Sequence, residues 1–274
     1  SMKVKNSKDL KPPRFLLWGA PGVGKTVQAC SASAHFDPEK LGKERQLLED
    51  TFLIAVEDGI ASLEGLQIEV PDVLDLTEDL VSDDGKASLP KLERALKEAW
   101  KYIHENANEN SVVIFDSLTA MDTFANSFFE KHFTAPYEAY KKNIAFHLDQ
   151  SIALSQLPGT LVVIAHGKVS APIDNDDTRA HKSAKARASG LSEVHKPAQL
   201  ALTGAADQHY LRQIGEIYFM ERKTKRIKGE SVSNRYFYPK GNDLGGGKTR
   251  YGEVLNAEEP ANLRAIMRKI GVVK

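Results

Sequence analysis

Cysteine is nearly absent: Cys30 is the only one in 274 residues. That excludes an internal disulfide and suits a reducing compartment. Net charge is absent too, because Lys plus Arg and Asp plus Glu both number 37. A generally basic nucleic-acid binder is therefore not announced, and any basic surface must be local. No apolar run approaches the roughly 20 residues that a membrane-crossing helix needs, and the opening "SMKVKNSKDLKPP" carries no apolar signal core. These absences lead to the expectation of a soluble, cytoplasmic protein with no membrane partner. What is present is ordinary for a globular chain, 41% hydrophobic and 27% charged, and sufficient for one large α/β core.

Five apolar runs have strand length: "RFLLWG" (14–19), "TFLIAVE" (51–57), "DVLDL" (72–76), "SVVIFD" (111–116) and "TLVVIAH" (160–166). Runs apolar on consecutive residues suit strands buried on both faces, as in parallel sheets. Helix-like segments lie between them at 25–34, 89–106, 120–131 and 137–156. In the second, Leu89, Leu92, Leu96, Ala99, Trp100 and Ile103 keep helical spacing. Such alternation predicts a mostly parallel central sheet flanked by helices. After His166 the pattern changes. Residues 169–197 are polar and too long for an ordinary connection. "GEIYFMERKTKRIK" and "NRYFYPKG" then alternate like a β-hairpin, followed by a Gly-rich patch and a short helix near 261–269. No linker clearly splits the chain, so a single domain over 1–274 is expected, with residues 1–13 as a tail.

The stretch "GAPGVGKT" satisfies G-x-x-x-x-G-K-[ST], with an apolar strand before it and a helix-forming stretch after it. Glycines there let backbone N–H groups approach phosphate oxygens, and the helix N-terminus adds a positive end. Gly19, Ala20, Pro21, Gly22, Val23, Gly24, Lys25, Thr26 and Val27 are thus the candidate nucleotide-binding residues. Lys25 would reach the β- and γ-phosphates, and Thr26 would ligate Mg²⁺. A metal carboxylate should close another buried strand, and "SVVIFDSL" offers Asp116; its alternative role, with Ser117, is to cap the next helix. Hydrolysis also needs a group to orient water. Glu57, at the end of "FLIAVE", is the candidate and the adjacent Asp58 the alternative. His166 closes "TLVVIAH", either to sense the γ-phosphate and relay its loss to the following loop or simply to be satisfied by backbone.

Taken in this order, the phosphate loop, the strand-ending glutamate, "VVIFDS" and "VVIAH" before a long polar loop resemble the RecA-like ATPase core. They are most similar to the compact phage-encoded Sak group of recombination proteins, over roughly residues 14–255. The resemblance implies an ATPase with ATP and Mg²⁺ as cofactors. In it, Glu57 is the catalytic glutamate, Asp116 the Walker B aspartate, His166 the γ-phosphate sensor, and 169–197 a mobile DNA-facing loop. Relatives commonly carry Gln or Asn where this chain has His166, and no Phe-x-x-Ala polymerisation peptide stands at its N-terminus. A late Lys/Arg pair in such assemblies reaches a neighbour's γ-phosphate. Lys248 and Arg250 in "GGGKTRYG" resemble that pair, which implies a homo-oligomer; a solvated basic loop or a DNA-backbone contact is the alternative.

Two basic patches point to single-stranded DNA. Arg179, Lys182, Lys185 and Arg187 crowd the polar loop, and Arg222, Lys223, Lys225 and Arg226 lie close to Tyr236, Phe237 and Tyr238. A hairpin with a charged tip would look the same. A single-strand DNA-binding protein is a further candidate partner. Two other functions fit the same loop: a kinase or phosphotransferase with 169–197 as a lid, Arg179 and Arg187 within it, and a nucleotide-gated binding protein with little turnover. His166, His181 and His195 lack metal-ligand spacing, so no zinc site is expected.

Overall fold

The computed structural model describes residues 12–81, 88–168, 199–203, 205–227 and 230–273. The expected tail up to residue 11, and the expected polar loop 169–197, lie outside them.

The chain begins with β1 (Arg14–Gly19), the phosphate loop and α1 (Lys25–Cys30), then β2 (Gln46–Leu47), β3 (Thr51–Ala55), α2 (Ala61–Glu64), β4 (Ile68–Glu69) and β5 (Asp72–Asp75). It continues through α3 (Leu89–Asn106), β6 (Val112–Asp116), α4 (Leu118–His132), α5 (Pro136–Gln156), β7 (Thr160–Lys168) and β8 (Gln199–Leu200). Last come α6 (Ala206–Gln213), β9 (Glu216–Ile227), β10 (Glu230–Tyr238), β11 (Glu259–Pro260) and α7 (Leu263–Lys269). Among the described residues these build a nine-stranded sheet ordered β5-β3-β6-β7-β1-β9-β10-β11, with β8 against β7, while β2 and β4 form a small separate pair. From β5 to β9 the pairing is parallel; β10 and β11 close the other edge antiparallel.

The apolar runs form these strands because both faces are covered. On β1, Leu16 and Trp18 pack with Leu92 and Leu96 of α3, Met121 of α4, Phe146 of α5 and Tyr210 of α6. Phe15 and Leu17 face the other way, onto Val27 of α1 and Leu263 and Ile266 of α7. Each large side chain buried so contributes on the order of 1.5–3 kcal/mol. The expected helix over 25–34 is shorter than its composition suggested. The N–H groups of Ser31, Ala32 and Ser33 bond only three residues back, and the Ser31 hydroxyl donates to the Gln28 carbonyl at 2.6 Å. That hydroxyl also accepts the Leu263 N–H, so the serine that ends α1 anchors α7. The last helix likewise starts at Leu263, two residues later than 261, because Asn262 caps it by accepting the Ala265 N–H.

One polar cluster sits inside the helical layer. One oxygen of Asp122 of α4 lies 2.8 Å from His147 Nε2 and accepts from Asn143 at 3.2 Å. Its other oxygen accepts the backbone and hydroxyl of Thr203, at 2.8 and 2.9 Å. His147 Nδ1 meets the Tyr210 hydroxyl at 2.8 Å. Burial raises the Tyr210 pKa, with Asp122 adding to it, so this hydroxyl stays protonated and donates. At Asp122 burial pushes upward, but the bonds from His147, Thr203 and Asn143 together outweigh it and hold the carboxyl below its usual range. A depressed carboxylate pKa stabilises the fold above the unfolded value and loses that contribution as acid protonates it. Asp122→Ala is accordingly expected to cost about 3 kcal/mol in urea titrations at pH 7. The gap to wild type should narrow below about pH 4, where the unfolded carboxylate takes up its proton before the folded one does.

Candidate nucleotide site

Parallel strands end together, and this sheet gathers its chemistry at their C-terminal ends. The register sets Gly19 of β1 beside His166 of β7, and Ala55 of β3 beside Asp116 of β6. β7 lies between the phosphate-loop strand and the Asp116 strand, so His166 stands between the two halves of the site. β3 stops at Ala55, two residues short of Glu57. The Val56 N–H still donates to the Asp116 carbonyl at 2.7 Å and carries Glu57 into the same crevice.

The side chains then close on one another. Lys25 Nζ donates to the carbonyls of Gly19 and Ala20 at 3.2 and 2.9 Å and lies 3.2 Å from His166 Nδ1. An ammonium only donates, so Nδ1 accepts and the imidazole proton sits on Nε2. Nε2 faces Glu57 Oε1 at 2.9 Å. The Thr26 hydroxyl donates to Asp116 Oδ2 at 2.6 Å. The His166 backbone N–H donates to Thr119 Oγ1 at 2.8 Å, and Ser117, which follows Asp116 across a cis peptide, caps α4 through the Ala120 N–H. Asp58, the alternative to Glu57, points to solvent.

Burial dominates the electrostatics. It lowers the Lys25 pKa to about 8, against the pull of Asp116 and Glu57. It raises Asp116 to about 6, in spite of the Thr26 bond. Glu57 goes the other way: the His166 hydrogen bond, aided by Ser117 and Lys25, holds it below the ordinary carboxylate value although burial opposes this. Near pH 7 the crevice therefore contains an ionised glutamate beside a lysine and an aspartate that both titrate within reach of neutrality. Cys30 lies beneath, its thiol pushed up to about 12 by burial, and is chemically quiet.

Thr26 and Asp116 present hard oxygen donors, the set Mg²⁺ prefers. The space around the carboxylate is kept open by Gly59: a Cβ there would stand 2.7 Å from Asp116 Oδ2 and 3.6 Å from Thr26 Oγ1. The residues present fit the ion. In the loop itself, Ala20, Pro21 and Gly22 form an exposed crest, whereas the side chains of Val23 and Val27 are buried in the core and leave only their backbone to face phosphates.

Other candidates fall elsewhere. Lys248 pairs with Ile217 near the start of β9, and its ammonium donates to the carbonyls of Leu211 and Ile214 at 2.7 and 3.1 Å. Arg250 packs its guanidinium against Gly215, and its N–H donates to Glu216. Glu216 pairs with Phe15, so both basic residues lie toward the opposite end of the sheet from the phosphate loop of their own chain. Arg222 is exposed on β9, while Lys223 bonds Glu258 and lies over the rings of Tyr236 and Tyr238 at 5.5 and 5.3 Å. Lys225 and Arg226 belong to β9 by their backbone alone, and Arg179, Lys182, Lys185 and Arg187 lie outside the described residues. The structure adds residues that sequence reasoning passed over: Thr119 and Gly59, and Arg235, whose Nε donates to the Val23 carbonyl at 2.8 Å. "EDGI" after the strand was a usable signal for Gly59; Arg235 carried none.

This sheet order, with phosphate loop, carboxylate and glutamate at the C-terminal ends of its parallel strands, is that of a P-loop NTPase α/β fold. A family model described as an AAA domain (AAA_24) matches residues 11–251, and the chain belongs to that family. No curated protein matches it significantly. One matching solved structure is a prototypical ATPase from the type III secretion system of pathogenic bacteria, 12% identical with a TM-score of 0.39. The match covers 76% of this chain and 51% of that one, so the chain spans about half the length of that relative. Among the described residues no helix is long and apolar enough to cross a membrane.

Gly59→Ala should lower the affinity for a magnesium–nucleotide complex by roughly tenfold or more, as supporting residues of metal sites do. Titration with a fluorescent ATP analogue measures it, and an affinity equal to wild type would show that the space beside Asp116 is not used.

Proposed function

We propose that the protein is a Mg²⁺-dependent ATPase whose turnover is coupled to single-stranded DNA, in phage-type recombination, annealing or repair. The observation that carries the hydrolytic reading is Glu57: a carboxylate held ionised by His166 at the crevice that also receives Lys25. Such a group can orient a water and take its proton. A kinase would instead have to keep water out and place an acceptor there.

Thr26 and Asp116 would hold the magnesium ion, which when bound offsets charge on the phosphates. Lys25 gives up its carbonyl partners for phosphate oxygens, and an anion there raises its proton affinity again. His166 loses its contact with Lys25 in that exchange while keeping its Nε2–H on Glu57. Its backbone N–H on Thr119 ties the same residue to α4, and the Ala201 N–H bonds its carbonyl at 2.9 Å where the chain returns from the polar segment. These contacts support reading His166 as the reporter of phosphate loss, the role the resemblance implies for it.

The DNA reading is supported by the hairpin. β9 pairs with β1 only from Phe15↔Glu216 to Trp18↔Phe219 and then continues over residues 220–227 with β10 as its partner. It projects roughly 25 Å past the end of that pairing, on the phosphate-loop side, with Arg222 exposed. Lys248 and Arg250, remote from the crevice of their own chain, are proposed to act on a neighbouring copy. The remaining support is the motif order shared with the Sak group.

Lys25→Ala should abolish hydrolysis, and Glu57→Gln should keep nucleotide affinity while reducing turnover about 100-fold or more. Phosphate release from wild type should rise with added single-stranded DNA and fall with salt. Phosphate delivered to a small acceptor, or turnover indifferent to DNA with no binding at low salt, would overturn the reading. Mixing Arg250→Ala chains with Lys25→Ala chains should restore activity, since each supplies what the other lacks; two inactive partners that stay inactive together would retire the trans-acting role.

A further inference from the structure

We infer that Arg235 is a positioning residue of the phosphate loop, and that the C-terminal hairpin is thereby part of the nucleotide site. The inference rests on the nucleotide reading above. Arg235 sits on β10 opposite Arg222 of β9. Its backbone is held from both sides, since its carbonyl also accepts the Ala261 N–H at 3.0 Å. From this support its Nε donates to the Val23 carbonyl at 2.8 Å, across a sequence separation of 212 residues. A trans peptide points its C=O and N–H in opposite directions. Holding the Val23 carbonyl toward the hairpin therefore turns the Gly24 N–H away from it, back toward the loop, where donors are wanted.

Gly24 carries the matching half. Its φ of 93° and ψ of 31° are left-handed, which any side chain would strain. A Cβ on it would also stand 2.7 Å from Arg235 Nε and 3.3 Å from the guanidinium carbon. The third glycine of the motif thus makes room for an arginine from the far end of the chain. A planar guanidinium with a fixed Nε donor suits this contact; a lysine, with a mobile point charge, does not reproduce it. Arg222 faces Arg235 across the ladder and is exposed, so Arg235 is the hairpin residue that touches the loop.

The test measures affinity for a fluorescent ATP analogue, with kcat and KM for ATP, in Arg235→Ala, Arg235→Lys and Lys25→Ala. Expected is a rise of about tenfold in the dissociation constant and in KM for both Arg235 variants, the size of one lost charged hydrogen bond, with a thermal midpoint lowered by only a few degrees. Ethylguanidine added to Arg235→Ala should recover much of the affinity, and none in Lys25→Ala. Affinity within twofold of wild type in either folded Arg235 variant overturns the inference. So does a loss that follows the thermal midpoint and resists ethylguanidine. If Arg235→Ala does not fold, Arg235→Lys alone decides by the same criterion. Should Lys25→Ala also bind normally, the nucleotide reading falls with it; should only Lys25→Ala be weakened, this inference alone falls.

Discussion

The arrangement depends on β7 lying between β1 and β6 with all three strands parallel. That register sets His166 between a lysine from one side and an acid from the other, and every bond in the crevice follows from it. Three ionisable groups in a largely buried place would be costly if unpaired, because each unmatched charge loses its hydration. Each is partnered: Lys25 by two loop carbonyls and an imidazole, Glu57 by the other imidazole nitrogen, Asp116 by the Thr26 hydroxyl. A triphosphate would enter by exchanging these bonds, not by finding vacant ones.

Two structures stand around that crevice and hold it from opposite sides. In the helical layer, α4 begins directly after Asp116, receives the His166 backbone at Thr119, and one turn later places Asp122 on Thr203. The chain's return from its polar segment is thus fastened to the helix that starts right after Asp116. On the other side, the hairpin leaves β1 and reaches the outer wall of the phosphate loop through Arg235. Both are rigid elements tied by hydrogen bonds, the kind of support that holds reacting groups in productive geometry.

Most of the sheet could be read in advance, since strands buried on both faces are apolar on every residue. The helix over 89–106 was legible to its last residue, because Leu92, Leu96 and Ile103 repeat with the helical period and face one core. Local chemistry shifted other boundaries: the serines after Cys30 turn the chain early, and Asn262 delays the last helix. That Lys25, Thr26, Asp116 and Glu57 would meet in one crevice was legible, because each belongs to a motif at a strand end. Arg235 could not be seen, since its partner Val23 lies at the other end of the sequence and only the ladder of β9 and β10 brings them together. Lys248 and Arg250 show the converse. Their motif was plain, but nothing local revealed that the segment joins the start of β9, far from its own phosphate loop.

Convergence of Lys25, Thr26, Asp116 and Glu57 on one bound nucleotide is the central claim. A crystal structure of the protein with Mg²⁺ and a slowly hydrolysed ATP analogue examines it directly. The account requires the terminal phosphate within hydrogen-bond reach of Lys25, the ion beside Thr26 and Asp116, and a water between Glu57 and the phosphorus. Phosphates bound outside the 19–26 loop, or a Glu57 turned away from them, would contradict it.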